Sequence, residues 1–115
     1  MLKDNTPIFI QLADKIADDI LEGIFKEDER IPSVREFAAQ YEVNVNTALK
    51  TIERLSINNI IYNKRGMGYF VNKGAKEEIA KVRKQDFFDN FLPLLKRNMQ
   101  QLNISIEEIN KKLKD

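Results

Sequence analysis

Hydrophobic positions recur at helical spacing along most of this chain and at strand spacing in one place. Ile8, Leu12, Ile16, Ile20 and Ile24 repeat every four residues, joined by Phe9, Ala13, Ala17 and Leu21, with the charged side chains on the other faces. That stripe predicts an amphipathic helix that packs into a core. Thr6 offers an N-cap, Pro7 suits the first helical position, and Gly23 marks the end. In residues 31–55 two shorter helices follow. Pro32 keeps the chain extended, Ser33 and Glu36 form an S-x-x-E capping box, and Phe37, Ala38 and Tyr41 share one side. The pattern breaks at Glu42 and Val43, Asn44 offers a second N-cap, and Ala48, Ile52 and Leu55 recur at helical spacing. Val45, Asn46, Lys50 and Glu53 then lie on other faces. Residues 60–71 hold two short β-prone runs around a glycine-containing tip, a hairpin pattern.

From residue 75 the helical pattern returns with Ile79, Val82, Phe87, Phe88, Phe91, Leu92, Leu94, Leu95, Met99 and Leu102. Pro93 lies inside this run and predicts a kink or break near residues 89–92, since it lacks an amide donor and clashes with the preceding turn. Ser105 and Glu108 form another capping box, opening a last helix with Ile106, Ile109 and Leu113 on its apolar side. A helix-turn-helix followed by a basic hairpin is a winged helix. The expected fold is therefore mainly α with a small β wing: a winged helix-turn-helix over residues 1–73, then a helical dimerisation tail over residues 74–115. The tail is too short to enclose a core of its own. It either packs on its own winged helix or pairs with a second copy. Pairing is the expectation, through Phe87, Phe88, Phe91, Leu92, Leu95 and Met99, because so much apolar surface would otherwise be exposed.

Charge sharpens the picture more than composition does. The net charge is only +1. Residues 1–29 carry three lysines against eight carboxylates, whereas residues 30–73 carry seven Lys and Arg against three Glu. The positive excess falls on the helix-turn-helix and wing, as a DNA-binding face requires. Glu27, Asp28 and Glu29 read as a solvated acidic loop with too few oxygen ligands for a metal. There is no Cys and no His, which excludes disulfides, thiolate or imidazole metal sites, Ser-His triads and histidine bases. No Gly-rich phosphate loop or paired-carboxylate constellation stands out, so neither an enzyme nor a cofactor is expected. No apolar run approaches a membrane span and no signal-peptide pattern opens the chain, so a cytoplasmic protein without membrane contact is expected.

Three segments, PIFIQLADKIADDILEGIF, IPSVREFAAQYEVNVNTALKTIERL and IIYNKRGMGYFV, resemble the DNA-binding domain of GntR-family bacterial transcription regulators. The short helical tail resembles the YtrA-like subfamily. The P-S-x-R box at 32–35 and the R-G-x-G-[TY]-F-V wing at 65–71 carry the resemblance. It implies that Arg35 contacts DNA; the alternative is a surface ion pair with Glu36 or Glu42. Similar wings place Lys64, Arg65 and Gly66 in or near the minor groove. Ser33 can both cap its helix and meet a phosphate. Asn44, Asn46 and Thr47 open the recognition helix, where Asn can bond adenine and one Asn serves as the cap. Lys50, one turn on, is expected at phosphate, with Arg54 beyond reach. Tyr62, Tyr69 and Phe70 read as packing residues of the wing, with room for one ring to face DNA. Two departures stand out. Many relatives carry Gly where this chain has Glu42, and Glu costs up to about 1 kcal/mol there if the turn takes φ > 0. Many also carry Arg where Val45 stands.

The resulting expectation is a sequence-specific transcription regulator, a repressor by family resemblance, that binds a pseudo-palindromic double-stranded operator as a homodimer. The alternative is a winged helix used for protein–protein contact. A small-molecule effector is not named by any residue, and a tail of this length can hardly enclose a pocket within one protomer.

Overall fold

Three helices and a hairpin bury their apolar sides in one shared cluster. The computed structural model describes residues 5–115. Helix α1 spans Ile8–Leu21, α2 Val34–Tyr41 and α3 Val45–Ile57, followed by strands β1 (Ile61–Lys64) and β2 (Gly68–Val71). Helix α3 packs against α1, α2 and β1. Ile16, Phe37 and Ile52 are completely buried, with Ile31, Leu55, Ile61 and Val71 sealing the same core. The predicted stripe of α3 is thus its buried side. Thr51 joins it, with its hydroxyl 2.9 Å from the Thr47 carbonyl and 3.3 Å from the Phe9 carbonyl of α1. The α1 stripe is buried only in its middle, at Ala13, Ile16, Ala17 and Ile20, whereas Ile8 and Ile24 are 58% exposed. Ile24 falls outside the helix, which ends at Leu21. Asp19 is buried on the same helix, held by Lys15 at 2.7 Å, and that hydrogen bond raises the lysine's pKa.

The start of α1 differs from expectation. Pro7 is itself the N-cap, extended at φ −54° and ψ 145°, and no side chain caps the helix. Its carbonyl accepts from the Ile10 and Gln11 amides, and the Thr6 carbonyl accepts from Gln11 Nε2 at 2.8 Å. A proline that keeps its ψ extended is itself the cap and moves the first helical position to Ile8.

The other caps form as the sequence predicts. The Ser33 hydroxyl accepts from the Glu36 amide at 3.2 Å while the Glu36 carboxylate accepts from the Ser33 amide at 2.9 Å. Asn44 Oδ1 accepts from the Thr47 amide at 2.8 Å. Between these helices Glu42 takes the left-handed conformation, at φ 53°. The turn therefore does require the backbone that glycine adopts most readily.

The acidic loop is not merely solvated. The Ile31 amide donates to the Tyr69 carbonyl, the Val71 amide to the Glu29 carbonyl and the Asp28 amide to the Val71 carbonyl. Residues 28–31 therefore line β2 as an antiparallel third ribbon, bridged at Arg30 and Phe70. The loop carboxylates fasten it further: Glu27 accepts from the Gly74 amide and Asp28 from the Tyr62 hydroxyl. Arg30 then reaches from this ribbon to both neighbours. Its Nε lies 3.3 Å from the Met67 carbonyl in the wing, and its Nη2 lies 3.2 Å from Glu36 Oε1 in the α2 capping box. The Ser33 amide, then the Ser33 hydroxyl and Arg30, hold the Glu36 pKa below its ordinary value.

Helix α4 (Ala75–Asp86) buries Ala75 and Ile79 in the core of the winged helix. The chain divides into two compact units after Ala80. In the second unit Pro93 does not break the helix. The α pattern becomes a π turn over Phe87–Phe91, and α5 resumes at Leu92–Leu102 with the proline in its first turn. The Leu92 amide reaches back five residues to the Phe87 carbonyl. One wider turn is how a helix accommodates a missing donor and the ring that carries it. Asn103, left-handed at φ 53°, ends α5, and the Ser105–Glu108 box opens α6 (Ile106–Lys114). Among the described residues, no helix is long and apolar enough to cross a membrane.

Two outcomes test these local assignments. Glu42→Gly should stabilise the protein by up to about 1 kcal/mol, because the left-handed backbone disfavours a side chain with a Cβ. Thermal denaturation that shows no gain would mean the turn carries no strain. For Glu36 the folded pKa is depressed, so its contribution is present above the unfolded pKa and lost as pH falls through the folded value. The melting difference between wild type and Glu36→Gln should thus be flat at neutral pH and shrink below the ordinary glutamate range. A difference independent of pH would remove the carboxylate from the cap.

Candidate nucleic-acid interface

Burial of one stripe of α3 determines what the opposite stripe can do. At roughly 100° per residue, Asn46, Lys50, Glu53 and Ile57 project away from buried Ala48, Ile52 and Leu55; all four are exposed. Asn44 gives its Oδ1 to the cap and remains exposed, and Asn46 is the asparagine at the front of the helix outside that role. Thr47 lends its amide to the cap and is half-buried. Lys50 is exposed, with its Nζ 5.9 Å from the centre of the Phe9 ring on α1. Lys50, Arg54 and Phe9 also line a shallow open groove of about 250 Å³ with Glu53, Ile57 and Asn58. That volume lies below the usual range for small-molecule pockets.

Ser33 and Arg35 stand at the front of α2. The Ser33 hydroxyl accepts the capping hydrogen bond, and Arg35 points into solvent. The ion pair that could have occupied Arg35 does not form: Glu36 is taken by Arg30, and among the described residues no carboxylate lies within ion-pair distance of Arg35.

The wing tip is a tight turn closed by the Met67 amide on the Lys64 carbonyl at 2.8 Å, with Gly66 at φ 78°. β1 and β2 pair antiparallel from Ile61 with Val71 to Lys64 with Gly68. This places Lys64, Arg65 and Gly66 at the exposed end. Tyr62 and Phe70 stack across the hairpin at 5.9 Å, and Lys64 Nζ sits 5.1 Å from the Phe70 ring centre. Tyr69 packs on the core. Burial, then the hydrogen bond to Asp28, raises the Tyr62 pKa, so the ring is held as a neutral donor. The aromatic residues of the wing are packing residues that aim its basic end.

Sequence reasoning missed Arg30. It counted only as charge, yet it joins the front of α2 to the wing tip, whose Met67 lies 37 residues further along the chain than Arg30. Close packing confirms how tightly it fits: a Cβ on Gly68 would meet Arg30 Nε at 3.2 Å. No local pattern could reveal this link, because its partners are a backbone carbonyl and a residue from another element. A second omission was Leu49, which is 40% exposed beside Val45, itself 52% exposed. Spacing could have found that one, since Leu49 lies off the Ala48, Ile52 and Leu55 line and four residues after Val45.

In the tail unit, Phe87, Phe88 and Phe91 cluster at 5.3 and 5.2 Å between ring centres, yet remain 44%, 52% and 51% exposed. Leu92, Leu95 and Met99 are half-buried on the same stretch. No residue of the π turn, α5 or α6 is buried.

Residues 10–71 match the family described as bacterial regulatory proteins, gntR family. The transcriptional repressor YtrA of Bacillus subtilis is 29% identical over 102 residues, 89% of this chain and 72% of that protein. A crystal structure of a GntR-family regulator from Bacteroides thetaiotaomicron is 46% identical, covers 91% of each chain and superposes with a TM-score of 0.72. A structure of the AraR DNA-binding domain in complex with its operator ORR3 is 31% identical over 56% of this chain and 78% of that one, with a TM-score of 0.54. A helix-turn-helix with a basic two-stranded wing, matched over more than half its length, places this chain in the GntR family: it is a DNA-binding transcription regulator and not an enzyme.

Proposed function

We propose that this protein is a cytoplasmic repressor that binds a pseudo-palindromic operator as a homodimer, with residues 74–115 as the dimerisation segment. The observation that carries the reading is a wing tip held beside the front of α2 while α3 exposes the stripe opposite its core. Arg30 ties the wing tip to the front of α2, and α3 presents Asn46 opposite its buried stripe. Such an arrangement suits a helix in the major groove with the wing beside it. Ser33, Arg35, Lys50, Lys64 and Arg65 then meet phosphates or the groove edge, Gly66 allows close approach of the wing backbone, and Asn46 reads a base. The relatives support this: YtrA is a transcriptional repressor, and the AraR domain is bound to an operator.

Dimerisation rests on the exposed phenylalanine group. Burial of each large side chain is worth about 1.5–3 kcal/mol, and within the chain Phe87, Phe88 and Phe91 remain about half exposed. A two-fold pair would present two recognition helices at a fixed spacing, about one helical turn or roughly 34 Å between half-sites. Binding of the second half-site then becomes effectively intramolecular.

Arg65→Ala should weaken binding to every duplex and lower the salt slope by about one unit, the share of one phosphate contact. Unchanged binding across a salt titration would take the wing out of the mechanism. Phe91→Asp, which puts a charge in the proposed interface, should give a monomer by light scattering while the winged helix still melts cooperatively. Binding to a full operator should fall to half-site strength. A variant that stays dimeric puts the interface elsewhere; a monomer that still binds the full site as before separates the tail from DNA reading.

A further inference from the structure

The leading turns of α3 expose more hydrocarbon than charge. Val45 is 52% exposed and Leu49 40% exposed, one turn apart on the same flank. Lys50, the only charged residue in the first six positions of the helix, lies on the other side of Asn46, near Phe9 of α1. Neither aliphatic side chain belongs to the buried core. Two branched residues so exposed at the front of α3 leave apolar surface in water in the free protein.

Major-groove edges differ in the hydrocarbon they offer. Thymine alone carries a C5 methyl group, and its partner adenine presents the donor and acceptor pair that asparagine can bond. Guanine is read most often by Arg or Lys, and the first turn of α3, from Val45 to Ala48, holds neither. We propose that Val45 and Leu49 are specificity-determining residues that pack on thymine methyl groups, beside Asn46 at an adjacent A·T pair. The operator half-site is then A·T at the positions under the start of α3. This rests on the operator-binding reading above and adds the chemistry of the base that is read. The flank is continuous with the DNA-reading end of the helix, so the occupant that fits is the groove rather than a second protein, which would block Asn46.

The test uses the full chain and a duplex selected from a random pool by binding to it. That duplex is resynthesised with deoxyuridine for thymine, one position at a time. Deoxyuridine removes the methyl and keeps the A·U hydrogen bonds. Anisotropy at fixed salt should show one or two positions per half-site where the change weakens binding about fourfold, the worth of one buried CH₂. At those positions Val45→Ala or Leu49→Ala should erase the thymine–uracil difference, while each variant melts as the wild type does. Equal binding at every uracil position, or a thymine–uracil difference that survives in both variants, overturns the proposal. So does a selected half-site with only G·C pairs under the helix start. If Leu49→Ala instead converts a dimer to a monomer and leaves uracil sensitivity untouched, the flank is a contact between copies. A pool that yields no preferred duplex removes operator binding itself, and this inference with it; a preferred duplex without uracil sensitivity removes only the inference.

Discussion

Everything in the winged helix depends on α3 burying one stripe and only one. Ala48, Ile52 and Leu55 are at most 1% exposed, and they meet Ile16 of α1, Phe37 of α2 and Ile61 of β1 in one core. A helix cannot turn about its axis without pulling these side chains into water, at about 1.5–3 kcal/mol for each large one. The opposite stripe is therefore presented at a fixed angle. Thr51 adds a directional element, because its hydroxyl lies within hydrogen-bond distance of the Phe9 carbonyl of α1. The core thus fixes which side of α3 faces outward.

The same core sets the wing. Ile61 and Val71 anchor the two strands at their inner ends, and their outer ends carry Lys64 and Arg65 into solvent. A two-stranded ribbon is marginal alone. Here residues 28–31 pair along β2, and Arg30 ties the far end back to Glu36. The Arg30–Glu36 pair is exposed and by itself contributes little stability. Its effect is geometric: the α2 capping box and the wing tip share one guanidinium.

The tail follows a different logic. Its local structure is well specified, with a capping box at Ser105, a left-handed end at Asn103 and a π turn that absorbs Pro93. Yet it buries no residue beyond the first turns of α4. Local hydrogen bonds can define helices but cannot hide Phe87, Phe88 and Phe91. That imbalance between complete local satisfaction and missing burial is why a second copy is the partner proposed for it.

The sequence alone determined the order of elements, the two capping boxes, the Asn44 cap, the buried line of α3 and the basic hairpin. Each of these depends on residues within a few positions of one another, where spacing and side-chain chemistry decide the outcome. It also marked Glu42 as the residue at which the turn would be strained if left-handed. It misplaced the start of α1, because the choice between Thr6 and Pro7 as cap turns on a single backbone torsion. It treated residues 27–29 as a solvated loop, since nothing local shows that β2, some forty residues on, will pair with that backbone. Only the tertiary structure decided that Arg30 bridges the wing and α2, that Glu36 is paired while no carboxylate among the described residues lies within ion-pair distance of Arg35, and that Val45 and Leu49 stay partly exposed. These depend on which distant groups the core brings within hydrogen-bonding or packing distance, and periodicity carries no record of that.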